Sequence, residues 1–216
     1  LAETISIAMA SGAVSERQLE RVTVDTTVQT KAVAHPTDSH LMLRAIEWLN
    51  RAARANGVRL RQSYLRVARH ARKEAARLMH GRGHKQARAH LRFMRTRLGR
   101  LIRDIERKID GDPARMRALA TVLERARTIH GQKPGDTQKL YAFHAPEVEC
   151  IGKGKARTRY EFGAKASFAT TNERCKGGQF VLGALSLPGN PYDGHTLGAQ
   201  LDQVARITRK KPARAY

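Results

Sequence analysis

One carboxylate lies inside a segment that otherwise has the pattern of a β-strand. Residues 21–28, RVTVDTTV, are β-branched with a period of two, and Asp25 lies among them. A carboxylate is costly to bury unless a metal ion or hydrogen-bond donors compensate it, and Mg²⁺ prefers oxygen ligands. Asp25 is therefore a candidate metal ligand directed into a cleft. In the alternative, Thr23, Asp25 and Thr27 form the solvated face of a half-exposed strand.

A second aspartate lies where a predicted helix begins. Asp193 belongs to residues 190–197, NPYDGHTL, in which a loop gives way to helical character. An aspartate at such a position makes a good N-cap, and this is the simpler interpretation. A role close to a metal ion or to DNA is the alternative.

The other chemical feature is a concentration of positive charge. The 216 residues include 41 Lys+Arg against 19 Asp+Glu, a formal net charge of +22. Residues 41–130 hold 24 of the basic and 7 of the acidic residues, a net of +17. Such an excess attracts polyanions and favours contacts with phosphate groups. Because aromatic residues make up only 5% of the chain, a surface for a duplex backbone is favoured over a base-stacking platform for single strands.

Four helices are predicted to carry this charge. Apolar residues recur at spacings of three and four from residue 41, across 63–79, along 91–109 and across 116–129. The third pattern is the strongest, because its narrow apolar seam is typical of coiled-coil packing. GDP at 111–113 ends that helix, so the third and fourth helices should form an antiparallel hairpin. From the charge around the seam we predict DNA contacts at Arg92, Arg95, Arg100 and Arg103.

The flanking segments predict a sheet. The predicted strands are residues 21–28, 139–144, 160–168, 179–187 and 212–216, with a helix at 194–208. This order predicts an α/β fold, in which a basic helical insertion interrupts a mixed sheet after its first strand. The predicted domains are residues 1–36, 37–135 and 136–216.

The composition and the two chain ends indicate where the protein is located in the cell and whether the chain is complete. No run of about 18 apolar residues could span a bilayer, and residues 1–4 show no secretion signal. Two cysteines cannot build a disulfide framework, so a cytoplasmic location is predicted. Because the chain starts with Leu1 and stops at Tyr216 without a tail, we expect an internal fragment of a longer protein.

Five motifs together resemble those of the DDE transposases of bacterial insertion sequences, specifically the insertion-sequence-four/five group. The matching runs are VDTTVQ at 24–29, AHPTD at 34–38, HAPEVECIGKGK at 144–155, YEFG at 160–163 and GNPYDGHTL at 189–197. The resemblance covers residues 22 to 197, and the motifs are specific as a set.

The resemblance implies an RNase H-like core whose first strand carries the first acid of an Asp-Asp-Glu triad. By position that acid is Asp25, which would bind Mg²⁺ or Mn²⁺; two such ions activate a water or 3′-hydroxyl and stabilise the leaving oxygen. The second aspartate of the family follows a later strand, matched here by residues 212–216, in an Asp-x-Gly-Tyr-x-Gly motif. We therefore expect a C-terminally truncated core with one acid of three, which binds DNA without cutting it. Asp193 is not assigned to the triad.

DNA transposition is the function that the resemblance implies for the full-length protein. The partner would be double-stranded DNA, at transposon ends and target, in the nucleoid of a bacterial cytoplasm. Lys153 and Lys155 are added to the predicted DNA contacts, with a solvated hairpin loop as the alternative for that segment. Transposases of this kind act as multimers on paired ends, which leaves a homo-oligomer open.

Two other functions remain open from the residues alone. One is a non-enzymatic nucleic-acid-binding protein whose helices are the functional part, and the other is a decayed transposase remnant. Binding to a membrane surface is disfavoured, because the apolar residues opposite the arginines form a packing seam.

Overall fold

Two units divide the chain, and the second is inserted in the sequence of the first. The structure is a computed structural model that describes residues 1–80, 83–133, 135–152 and 159–216. The sheet unit comprises residues 1–32 and 147–216, and the helical unit comprises residues 33–146. Within the described ranges, every helix is either too short or too polar to cross a bilayer.

The sheet unit is built around the strand that contains Asp25. Its elements are α1 (Ala2–Ala10), α2 (Glu16–Leu19), β1 (Arg21–Thr30), β2 (Glu149–Gly152), β3 (Tyr160–Thr171), β4 (Val181–Leu187), α7 (Asp193–Thr208) and β5 (Arg214–Ala215). β1 pairs with β3 in the antiparallel sense and with β5 in the parallel sense. β2 and β4 both add to β3 in the antiparallel sense. The described residues thus form a mixed sheet of five strands, which confirms the predicted α/β class.

The core of the sheet unit lies on one face of the sheet. Val22 of β1, Ala169 of β3 and Val204 of α7 are completely buried there together. The alternation in β3 correctly places Tyr160, Phe162 and Phe168 on a common face. The completely buried positions of β3 lie on the opposite face, however, because α7 packs against that side.

The helical unit consists of four helices that pack around a larger core. They are α3 (Asp38–Ala55), α4 (Leu65–His80), α5 (His84–Ile109) and α6 (Pro113–Gly131). The apolar seam of α5 is buried as predicted, with Leu98 and Ile105 fully inaccessible. α5 and α6 form the predicted antiparallel hairpin, in which Arg127 Nε donates to Glu106 Oε1 at 2.8 Å.

One predicted strand is wrong. Residues 139–144 are irregular rather than extended, and Leu140 and Phe143 are buried in the core of the helical unit. The ring of Phe143 stacks on Trp48 at 5.7 Å between centroids. The apolar residues of this segment therefore pack against helices and do not pair in a sheet. α1, α2 and β2 were not predicted, because they are short and have no strong periodicity.

Candidate functional site

Asp25 is exposed on β1, opposite Phe168 of β3. Val22 and Val24 belong to the core of the sheet unit, and Asp25 alternates with them, so it lies on the other face of the strand. The residue lines a small cavity of about 260 Å³ near the start of α7. The carboxylate is thus accessible to solvent, as both the metal-ligand prediction and the solvated-face alternative require.

Asp193 lies in the same cavity as Asp25, which the sequence separation of the two residues did not indicate. Its Oδ1 atom accepts a hydrogen bond from Thr26 Oγ1 at 3.0 Å and faces Lys165 Nζ at 2.6 Å. The Lys165 side chain is only 12% exposed, and its ammonium also donates to the Pro191 carbonyl at 2.7 Å. Asp193 therefore connects the start of α7 to β1 and β3.

The predicted N-cap role of Asp193 is wrong. α7 begins at Asp193, and Tyr192 occupies the N-cap position. The carboxylate instead contacts Thr26 and Lys165 of the sheet, because the loop before α7 brings the helix start beside these strands. An aspartate in the first turn still interacts favourably with the helix dipole.

The described residues do not by themselves form a two-metal centre. No group of three or more His, Cys, Asp or Glu among them could hold a metal ion. The described carboxylates that line the cavity are Asp25 and Asp193, and the latter already faces the ammonium of Lys165. A pair of Mg²⁺ ions is held by several carboxylate oxygens. Asp25 can supply one ligand, and the rest of such a centre requires other groups.

β5 brings main chain to the edge of β1 beside Asp25. Val24 N donates to Tyr216 O at 2.9 Å, and Tyr216 N donates to Val22 O at 3.0 Å. Ala215 and Tyr216 also line the cavity. Because β5 runs parallel to β1, its carboxyl end points towards Asp25.

The four arginines predicted on α5 have different surroundings. Arg92, Arg100 and Arg103 are exposed, whereas Arg95 is half-buried and donates from Nη2 to the Gln132 carbonyl at 3.1 Å. Arg95 thus contributes to the packing of α5 against the end of α6. The predicted contacts Lys153 and Lys155 lie outside the described residues.

A more concentrated basic surface was not predicted from the sequence. A groove of about 1300 Å³ follows α3 and the loop after it, and Glu47 is the carboxylate among its described lining residues. The arginines that line it are Arg44, Arg51, Arg54, Arg59, Arg61 and Arg69. Arg59 and Arg61 follow the predicted helix end at residues 56–57. This pair of arginines in a short loop is the sequence signal that could have located the groove.

Two smaller grooves meet the first one at the same loop. A groove of about 610 Å³ is lined by Arg61 together with Arg100, Arg103 and Arg107 of α5. Another of about 440 Å³ is lined by Arg59, Arg61, Lys108 and Arg115. We call residues 56–64 the arginine loop and the three grooves together the loop surface. Two of the arginines predicted on α5 therefore belong to a surface centred elsewhere.

A buried carboxylate holds the arginine loop. Asp104 of α5 is 6% exposed and accepts from Arg61 N at 3.0 Å, Lys108 Nζ at 2.9 Å and Arg107 Nη2 at 3.0 Å. Burial alone would raise the pKa of Asp104, but the hydrogen bonds from Arg61, Lys108 and Arg107 outweigh it and lower that pKa below its ordinary value. Asp104 therefore remains ionised and bound to the loop at neutral pH.

Comparison with known proteins finds one partial relative. Over 82 residues the chain is 49% identical to a protein of Rhizobium meliloti described as "Uncharacterized protein ORF8 in nfe locus". The match covers 38% of this chain and 40% of that protein, so the chain spans about two-fifths of the length of the relative. No family model and no solved structure matches the chain.

Proposed function

We propose that this chain is part of a DDE transposase with an RNase H-like core, and that Asp25 is the first acid of its triad. The single observation that carries the proposal is the position of Asp25. It lies exposed on the first strand of a mixed sheet, and the later strand β5 runs parallel beside it. The resemblance assigns the second acid to the end of that later strand. A carboxylate following β5 in a longer protein would accordingly lie next to Asp25.

Asp25 supplies one carboxylate ligand to Mg²⁺ or Mn²⁺ in this proposal. Such ions activate the attacking oxygen and stabilise the leaving oxygen of the cleaved strand. The contribution of this chain is to hold Asp25 on a paired strand, in which β3 pairs with Asp25 itself and β5 pairs with the residues just before it. Thr26, the next residue, is bonded to Asp193 and restrains the same strand from the core side.

The 216-residue chain alone binds DNA without cutting it. Its described residues offer an incomplete set of metal ligands at the cavity, since Asp193 already faces Lys165. Its charge of +22 nevertheless favours binding to a polyanion. The full-length protein cuts and joins double-stranded DNA at transposon ends and target, in the bacterial nucleoid, and acts there as a homo-oligomer on paired ends.

A mobilisation assay tests this function. A donor plasmid carries the complete reading frame with its flanking DNA, and insertions into a conjugative target plasmid are counted. We expect insertions with the wild-type gene and none with Asp25→Asn. Asp202→Asn is the matched control, because Asp202 is an exposed carboxylate of α7 in the same unit. Equal insertion frequencies for Asp25→Asn and wild type would refute the role of Asp25.

A nucleic-acid-binding protein without catalysis is the second candidate. One observation favours it: the basic helices have an extensive core of their own, which does not depend on the sheet. In the mobilisation assay this candidate predicts no insertions with any version of the gene, while duplex binding by the purified chain persists.

A further inference from the structure

We propose that the arginine loop is the principal contact of the helical unit with the phosphate backbone of duplex DNA. The inference deepens the proposed function, on which the choice of DNA as partner rests. It places the main binding surface on residues 56–64 and the grooves beside them, rather than along the exposed side of α5.

The first support is that the loop main chain is held in place. Asn50 Nδ2 donates to the Ser63 carbonyl at 2.9 Å, and Lys108 Nζ donates to the Arg59 carbonyl at 2.5 Å. Asp104 accepts from the amide of Arg61. These three contacts fix the middle of the loop and its C-terminal end. Arginines on a preorganised loop lose less conformational entropy when they bind phosphate.

The second support is the charge of the loop surface. Arg59 and Arg61 are exposed, and Arg61 lines all three grooves. Ten arginines and one lysine line the three grooves, against two described carboxylates, Glu47 and Asp104. The local field is therefore strongly positive, and arginine forms bidentate hydrogen bonds with phosphate.

The third support concerns the kind of nucleic acid. The five aromatic side chains of the helical unit are Trp48, Tyr64, Phe93, Tyr141 and Phe143, and each is buried or half-buried. Single-strand binding uses exposed aromatic rings on which bases stack. Without such rings the loop surface contacts backbone, and backbone contacts position a duplex without reading its sequence.

Fluorescence anisotropy with the 216-residue chain tests this surface. The probe is a fluorescein-labelled duplex of about 30 base pairs and arbitrary sequence, titrated at several salt concentrations. We expect Arg59→Ala with Arg61→Ala to reduce the slope of log K against log salt by about two, since each lost phosphate contact removes about 0.9. The charge-matched control is Arg88→Ala with Arg117→Ala, two exposed arginines of α5 and α6 outside the loop surface.

A variant that keeps both positive charges separates an effect of charge on binding from an effect on folding. Arg59→Lys with Arg61→Lys keeps both charges, so the salt slope should return close to the wild-type value. Circular dichroism melting verifies that every variant is folded. Equal slope losses in the loop variant and the control would overturn the assignment to the loop while leaving DNA binding intact. Failure of the wild-type chain to bind the duplex would overturn both this inference and the DNA-binding part of the proposed function.

Discussion

Thr26 Oγ1 donates a 3.0 Å hydrogen bond to Oδ1 of Asp193, although 167 positions separate the two residues in the chain. The bond joins the strand that carries Asp25 to the first turn of α7. Lys165 of β3 approaches the same carboxylate oxygen. The side chain of Asp193 thus links β1, β3 and α7 at the edge of the cavity that Asp25 lines.

Asp193→Ala should lower stability. The substitution leaves the ammonium of Lys165, a largely buried side chain, without this carboxylate. We expect a loss of about 1–2 kcal/mol in the free energy of unfolding, because Asp193 itself is well exposed and its charge is screened. Urea unfolding measures the loss. Asp202→Ala on the same helix should change stability by less than about 0.5 kcal/mol, and an equal effect of both would contradict the linking role.

Gly163→Ala should disrupt the pairing of β1 with β3. The carbonyl of Gln29 occupies the space that a Cβ atom at position 163 would need, and main-chain atoms cannot move aside easily. Overpacking of this kind costs about 1–3 kcal/mol. Gly152→Ala is the control, since a Cβ atom there meets open space. Thermal melting should show a clear decrease for Gly163→Ala alone, and similar melting of the two variants would count against the register of these strands.

Acid should destabilise the helical unit through His130. Burial, together with the charges of Arg95 and Arg103, lowers the pKa of His130 below its ordinary value. The unfolded chain therefore takes up a proton first as the pH falls through about 6.5, so stability decreases from pH 7.5 towards pH 5.

His130→Gln should remove part of this decrease. His84→Gln, at an exposed histidine of the same unit, controls for the loss of an imidazole. Melting temperatures measured across that pH range provide the comparison. An unchanged pH dependence in His130→Gln would contradict the assignment to this residue.

Asp104→Asn should weaken the hold on the arginine loop, because a carboxamide keeps one acceptor oxygen but loses the charge that attracts Lys108 and Arg107. The lowered pKa of Asp104 means that its contribution to stability is present above the ordinary carboxyl pKa and is lost as the pH falls through the lower, folded value. At pH 7 we expect a loss of about 1–3 kcal/mol. Hydrogen exchange at the amide of Arg61 should become faster in Asp104→Asn and remain unchanged in the exposed control Asp110→Asn. Unchanged exchange in both variants would contradict the proposed anchor.

Local periodicity accounts for what could be predicted. The seam of α5 and the alternation around Asp25 are patterns of neighbouring residues, so the helices and the first strand could be recognised. The bond between Asp104 and the amide of Arg61 joins residues 43 positions apart, and no local pattern indicates it. The hydrogen bond between Asp193 and Thr26 joins residues that are even further apart in the sequence. The cavity and the loop surface both depend on such long-range contacts.

Residues 139–144 show the opposite error. Four of these residues, LYAF at 140–143, form a short apolar run that resembles a strand, but Leu140 and Phe143 are buried among the helices and the ring of Phe143 packs on Trp48. A short apolar run does not distinguish pairing in a sheet from packing against helices.

Cleavage of border DNA by the protein from the complete reading frame is the decisive test of Asp25 as a catalytic acid. Labelled duplexes that span each border of the element are incubated with wild-type protein or with Asp25→Asn, in Mg²⁺, Mn²⁺ or EDTA. We expect cut strands with wild-type protein in either metal ion, and none with EDTA or with Asp25→Asn. Equal cleavage by Asp25→Asn, or no metal-dependent cleavage by the wild-type protein, would contradict the role of Asp25 as a metal-binding catalytic acid.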